Sequence, residues 1–159
     1  MSSFKTNVKF DEDKIMRALA NGMIRGVNMI SVQLNNNIVK RLNKKGTGIV
    51  YSGNKGRASS KEGEPPAPQT ARLRNSWNAK VKTRFNRQRG KVFSIVKQGA
   101  GAGSAVAYGA ILELPKSENG LNRPFLRGKE GAVNRTRPFA DKVMRQQINA
   151  AIKKANRIT

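Results

Sequence analysis

The sequence predicts an α+β fold in a single domain. We expect a long N-terminal helix, a small antiparallel sheet built on a β-hairpin, a short middle helix and a C-terminal helix. Three patterns support this class. Apolar residues recur every three or four positions over residues 11–45, they alternate with polar residues over residues 76–85, and a second helical spacing follows residue 138. A length of 159 residues is typical of one domain.

The first predicted element is a helix over residues 11–45. Asp11, Glu12 and Asp13 stand at its start, where carboxylates favour the positive end of the helix dipole, and Gly46 follows as a stop signal. Its apolar stripe consists of Ile15, Leu19, Met23, Val27, Ile30, Leu34, Ile38 and Leu42. A helix of about 50 Å exceeds a small core, so we expect part of the stripe to pack on a neighbouring subunit.

Gly22 and Gly26 lie on or beside this stripe. Two interpretations stay open. The pair either allows a close helix crossing, because glycine lets another backbone approach, or consists of two glycines that the helix tolerates.

Residues 46–70 predict an extended flexible loop. The segment is rich in Gly, Ser, Lys and Pro, and a loop of this length is usually either disordered or ordered by a partner. Pro65, Pro66 and Pro68 favour polyproline geometry in its second half. We expect residues 46–61 to be mobile in an isolated subunit.

Residues 71–97 predict a β-hairpin with one apolar and one cationic face. Trp77 and Phe85 belong to the apolar face of the first strand, a polar turn follows, and residues 91–97 form the second strand. Flexible cations in a row suit sequence-independent contact with phosphates, whereas the alternative is a solvated sheet face. The candidate DNA-facing residues are Lys80, Lys82, Arg84, Arg87, Arg89 and Lys91.

Three further segments complete the chain. Residues 105–114 predict a short helix that ends at Pro115, and residues 116–136 predict a polar excursion. Residues 138–157 predict the C-terminal helix, because proline favours the first turn of a helix and an apolar stripe follows. That stripe consists of Phe139, Val143, Met144, Ile148, Ala151 and Ile152.

The composition argues against an enzyme. The chain has no cysteine and no histidine, which removes thiolate metal sites and the commonest general base. Gly99, Gly101 and Gly103 follow a strand but lack both the dinucleotide fingerprint and the Walker lysine, so we expect a simple connector. We therefore predict no catalytic residue, no metal and no cofactor.

The charge points to a polyanionic partner. The net charge is +23, and between Lys14 and Leu112 the sequence contains 19 basic residues but only two acids, Glu62 and Glu64. Such a surface attracts nucleic acid. No apolar run reaches the ~18 residues of a membrane helix, and residues 1–10 lack the apolar core of a signal peptide. We expect a soluble protein made in a reducing cytoplasm, with no membrane partner.

Three passages resemble the head–tail joining and tail-completion proteins of long-tailed bacteriophages. The first is Gly63-Glu64-Pro65-Pro66-Ala67, followed by Thr70, Arg72-Leu73-Arg74 and Ser76; the second is Tyr108-x-x-Ile111-Leu112-Glu113; the third is either Arg123-Pro124-Phe125-Leu126-Arg127 or Arg137-Pro138-Phe139. We favour the latter as the opening of the last helix. Ala71 and Leu114-Pro115 depart from the family pattern, which usually has glycine at the first position and an aromatic-glycine pair at the second.

The resemblance implies a structural virion protein of the neck, assembled in the bacterial cytoplasm as a ring of six or twelve copies around the DNA channel. Its partners would be the portal or a head-closure adaptor on one side, the tail terminator or tail tube on the other, and genomic DNA in the channel. The cationic face would meet either that DNA or acidic neighbouring proteins. The alternative function is sequence-independent nucleic-acid binding. The candidate interface residues are Glu64, Pro65, Pro66, Arg72, Arg74, Pro124 and Phe125.

Overall fold

A computed structural model describes residues 12–50, 58–67, 72–75, 77–78, 84–86, 91–93, 97–98, 111–118 and 120–156 of the chain. The helices are α1 (Glu12–Leu42), α2 (Arg72–Asn75) and α3 (Ala132–Asn156), with a 3₁₀ helix at Lys116–Glu118 and a helical turn at residues 111–113. The strands are β1 (Trp77–Asn78), β2 (Arg84–Asn86), β3 (Lys91–Phe93) and β4 (Lys97–Gln98).

Helices α1 and α3 form an antiparallel pair. Asn37, near the end of α1, donates a hydrogen bond from Nδ2 to Thr136 Oγ1 near the start of α3, at 2.9 Å. Gly22, in the first half of α1, lies beside Ala151 near the end of α3. The helices contain 31 and 25 residues, so this pair is the largest structural unit of the described chain.

The two glycines of α1 lie at the crossing with α3. A Cβ atom on Gly22 would stand 2.9 Å from the backbone oxygen of Gln147 and 3.0 Å from Cβ of Ala151, and one on Gly26 would stand 2.6 Å from Sδ of Met144. Both glycines are buried. Of the two interpretations of this pair, the close helix crossing is therefore confirmed.

The hydrophobic core lies at the C-terminal end of α1. Ile38 and Leu42 of α1 meet Leu112, Phe125 and Ala132, each at most 2 % exposed. The partly buried side chains around them are Leu34, Leu73, Trp77 and Leu126. The Trp77 and Phe125 rings meet edge to face, with centroids 5.8 Å apart. The first five residues of the α1 stripe are only half-buried, so its packing on a neighbouring subunit stays a prediction.

The prediction of an α+β fold with an antiparallel sheet is wrong, because the described chain is mainly helical. Its extended segments form two separate antiparallel pairs, in which β1 pairs with β4 over two residues and β2 pairs with β3 over three. Alternating polarity predicts a half-buried strand, but a sheet also needs ladders long enough to form a layer. The apolar surface is buried instead between the helices and around the end of α1.

Two helix starts also differ from the prediction. Arg72–Asn75 is helical, although the predicted hairpin began at residue 71. Helix α3 begins at Ala132 and contains Pro138, which was predicted to open it. The earlier start has a tertiary cause. The N–H groups of Ala132 and Val133, which lack helical partners, donate to the carbonyls of Phe125 and Leu126 at 2.9 and 3.1 Å.

In the described parts of the 46–70 segment, residues 48–50 pair with residues 58–59, and the mobility expected of an isolated subunit stays a prediction. Gly48 N donates to Ser59 O at 2.7 Å, Ser59 N donates to Ile49 O at 2.9 Å, and Val50 bridges Ala58. A Cβ on Gly46 would lie 2.1 Å from Ser59 O, so this pairing requires glycine. The predicted 116–136 excursion becomes the 3₁₀ helix, a folded loop and the first turn of α3.

Candidate functional site: a junction at the end of α1

Glu113 joins the second family-like passage to the third. Its Oε1 accepts hydrogen bonds from the backbone N–H groups of Phe125 and Leu126, both at 2.5 Å, and its Oε2 accepts one from Arg127 N at 3.3 Å. Consecutive backbone N–H groups that converge in a turn form an anion-binding concavity. Here the anion is a side chain of the same chain, so the carboxylate fixes the conformation of residues 125–127.

Backbone hydrogen bonds strengthen this connection. Arg123 N donates to Leu112 O at 2.7 Å, and Leu121 N donates to Ile111 O at 2.9 Å. Backbone and side-chain hydrogen bonds therefore both connect the helical turn at residues 111–113 to residues 121–127.

Arg41 connects the junction to α1. Its side chain is 7 % exposed, and it donates from Nη2 to Pro124 O and from Nη1 to Glu130 Oε2, both at 3.3 Å. Glu130 is 62 % exposed and also pairs with Arg135 at 3.0 Å and Lys44 at 3.8 Å. The hydrogen bond from Arg135, then the charges of Arg135 and Lys44, lower the pKa of Glu130. The end of α1 is thus tied to residues 124–135.

Glu64 organises the proline-rich passage. Its carboxylate accepts hydrogen bonds from Thr47 Oγ1 at 2.5 Å, Lys61 N at 2.9 Å and Thr47 N at 3.1 Å. The Thr47 hydroxyl, followed by the two backbone donors, lowers the pKa of Glu64 from 4.5 to about 2. Pro65 and Pro66 are buried, and Ser60 Oγ donates to Pro65 O at 2.7 Å.

Asn122 joins this first passage to the other two. Its carbonyl accepts a hydrogen bond from Gly63 N at 2.7 Å, and its Nδ2 donates to Glu62 Oε1 at 3.1 Å. Asn122 has φ of 45° and Gly63 has φ of 80°, values that asparagine and glycine adopt most readily. We call the contacts that join residues 60–65, 111–114 and 121–127 to the end of α1 the motif junction.

The predicted interface residues lie mostly inside this junction. Glu64, Pro65, Pro66 and Pro124 make contacts within the subunit, and Phe125 lies in the core at 1 % exposure rather than on an interface surface. Arg74 Nη1 donates to Asn43 Oδ1 at 3.0 Å at the edge of the junction. The Arg72 side chain lies outside the described residues.

The predicted cationic hairpin residues are mostly outside the described residues. Lys80, Lys82, Arg87 and Arg89 are not among them. Only backbone positions are described for Arg84, which pairs with Phe93, and for Lys91, which pairs with Asn86. The DNA-facing role of this set stays a prediction.

Two segments, residues 123–127 and residues 137–139, are candidates for the third family-like passage. Glu113 bonds to the first of them. The favoured segment, residues 137–139, lies inside α3 instead. Sequence reasoning also missed Arg41, Asn122 and Glu130. Two basic residues stand between Ile38 and Leu42, and the one three residues after Ile38, on the side of the stripe, is the buried Arg41, whereas Lys40 is exposed.

The junction has the properties of a structural joint. Glu113 uses both carboxylate oxygens on backbone donors. Among the described residues, no three His, Cys, Asp or Glu side chains are grouped to hold a metal ion. Within the same residues, no helix has both the length and the apolar character to cross a membrane.

Comparisons with protein-family models, curated proteins and solved structures find no match for this chain.

Proposed function

We propose that this protein is a structural subunit of the bacteriophage neck, joining the head or portal to the tail as a homo-oligomeric ring around the DNA channel. The observation that supports the proposal is the motif junction. The described parts of three passages that resemble the head–tail joining family lie close together. Glu113 of the second accepts hydrogen bonds from residues 125–127 of the third, and Gly63 of the first donates to Asn122, which directly precedes the third.

An exposed apolar surface that would suit contact with a neighbouring copy lies next to the junction. Ile49 is 67 % exposed and Val50 is 55 % exposed, the highest values among the large apolar side chains described. Both belong to the 46–70 segment, which we expect a neighbour to cover. Exposed aliphatic side chains next to a fixed turn suit subunit contact, because burying them costs little conformational entropy.

The assembly state tests this proposal. We expect light scattering and negative-stain electron microscopy of the purified chain, or of virion necks, to show rings of six or twelve copies. Ile49→Asp with Val50→Asp should yield folded monomers, because both side chains are exposed in the subunit. Ile152→Asp, at an α3 position 43 % exposed, is the matched control and should still assemble.

One result would contradict the proposed neck role. A wild-type chain that stays monomeric and coats DNA, with no copies at the portal vertex of particles, would reject the neck role. That behaviour is the one expected from the alternative function, sequence-independent nucleic-acid binding.

A further inference from the structure

Helix α3 carries a continuous row of cations and amides on the face away from α1. The row consists of Lys142, Arg145, Gln146, Asn149 and Lys153, all exposed. Steps of three and four residues place them on one side of the helix, over about 17 Å. The opposite side buries Val143, Ala151 and Ala155.

In the part of the chain that the structure describes, the cations of this row, Lys142, Arg145 and Lys153, have no ion-pair partner. Helix α3 contains six basic residues and a single acid, Asp141. Arg135, about two turns before Lys142, differs because Glu130 binds it at 3.0 Å.

Three of the described carboxylates lie at the junction and do not pair with the row. Glu113 accepts backbone donors of residues 125–127, and Glu64 accepts donors from Thr47 and Lys61. Glu130 faces Arg41, Lys44 and Arg135 at the other end of the pair. On α3 itself, Asp141 is the single acid against six basic residues, so the helix keeps a positive net charge.

We propose that the outer row of α3 binds the phosphate backbone of double-stranded nucleic acid without sequence preference. Lysine and arginine neutralise phosphates, and interleaved glutamine and asparagine side chains donate to phosphate oxygens. The row is straight and spans several phosphates of one duplex strand. This binding does not depend on ring formation, since each subunit carries the whole row.

Two other partners fit the row less well. Protein interfaces bury aromatic or aliphatic anchors at their centre, and the row has none. Single-stranded nucleic acid is bound by stacking bases on aromatic side chains. The one aromatic residue of α3, Phe139, is half-buried and stands outside the row.

The test compares two triple variants with the same net charge. Lys142→Gln, Arg145→Gln and Lys153→Gln remove three charges from the row. Arg17→Gln, Arg25→Gln and Lys40→Gln remove three from exposed positions of α1. Glutamine, lysine and arginine have similar helix propensities, so both variants should fold, which circular dichroism checks.

Fluorescence anisotropy with a mixed-sequence duplex of about two helical turns is the measurement. We expect the α3 triple variant to lower the slope of log K against log salt by about 3, because each lost phosphate contact removes about 0.9. At about 100 mM salt, its affinity should fall on the order of 100-fold. The α1 triple variant should change both values much less, and Lys142→Arg with Lys153→Arg should preserve them.

Several outcomes would overturn the proposal. Equal losses in the two triple variants would mean that net charge alone attracts the duplex. An unchanged α3 triple variant would place binding elsewhere. If the α3 triple variant loses affinity for polyglutamate but not for the duplex, the surface binds an acidic protein. If it loses affinity for single-stranded DNA but not for the duplex, the surface binds single strands.

Discussion

The carboxylate of Glu113 holds the backbone of Phe125, accepting its N–H hydrogen bond at 2.5 Å while the Phe125 ring fills the core. Phe125 O in turn accepts the N–H of Ala132, the first residue of α3. One glutamate thereby positions both a core side chain and the start of a 25-residue helix. The stability of the subunit should depend on this carboxylate.

We expect Glu113→Gln to destabilise the protein by about 1.5–3 kcal/mol, the usual contribution of hydrogen bonds to a charged acceptor. The amide retains one acceptor oxygen, but its NH₂ group would face backbone donors. Urea denaturation monitored by Trp77 fluorescence measures the change. Glu118→Gln, at an exposed position of the 3₁₀ helix, is the control and should stay within about 0.5 kcal/mol of wild type. Equal effects of the two substitutions would contradict the role of Glu113.

The two glycines at the helix crossing should respond differently to alanine. On Gly22, the new Cβ would meet the Gln147 backbone oxygen at 2.9 Å, which cannot move without shifting α3. We expect Gly22→Ala to cost about 1–3 kcal/mol, the range for an overpacked contact. On Gly26, the Cβ would meet Met144 Sδ, the end of a flexible side chain, so a helix-propensity gain of about 1 kcal/mol should offset the clash.

Thermal unfolding of the two alanine variants provides the comparison. Asn21→Ala is the reference, because Asn21 is exposed on the same helix and its substitution should be neutral or slightly stabilising. A Gly26→Ala variant that loses as much stability as Gly22→Ala would show that the helices cannot adjust at either position.

Local patterns predicted α1 well because the spacing that marks a helix involves residues only three or four positions apart. Ile38 and Leu42, the last two residues of the predicted stripe, lie in the core. The pattern of residues 76–85 was equally local, but whether such a segment becomes a sheet depends on what pairs with it and covers it. That information is tertiary, and the described chain forms only short ladders at β1–β4 and β2–β3.

The predictions for the start of α3 and for the position of Phe125 were wrong for the same reason. Pro138 is a valid local signal for a helix start, yet the carbonyls of Phe125 and Leu126 stabilise an earlier one. Phe125 stood in a polar segment that predicted a surface excursion. Its burial depends on Glu113, twelve residues earlier, and on Trp77, which no local pattern connects to it.

Arg41 should stabilise the junction through packing as well as hydrogen bonding. Arg41→Ala removes a buried side chain and leaves the Pro124 carbonyl without its donor, so we expect a loss of about 2–4 kcal/mol. Arg41→Met also removes the donor to Pro124 but keeps most of the volume, and Glu130 retains Arg135 and Lys44, so it should cost only about 1 kcal/mol. Lys40→Met, exposed one residue earlier, should be nearly neutral. Urea midpoints give all three values, and identical losses for Met and Ala would assign the whole effect to the guanidinium.

Glu64 should make the stability of the protein depend on acid pH. Its pKa is lowered from 4.5 to about 2 in the folded chain, chiefly by the Thr47 hydroxyl. A carboxyl whose folded pKa lies below its unfolded pKa stabilises the fold above pH 4.5, and this contribution is lost as the pH falls from 4.5 towards 2. Glu64→Gln should therefore flatten the loss of urea midpoint across that interval, and Thr47→Val should flatten it partly. Glu118→Gln should keep the wild-type slope, and a Glu64→Gln variant with that same slope would show that the Thr47 and Lys61 hydrogen bonds contribute nothing to folding.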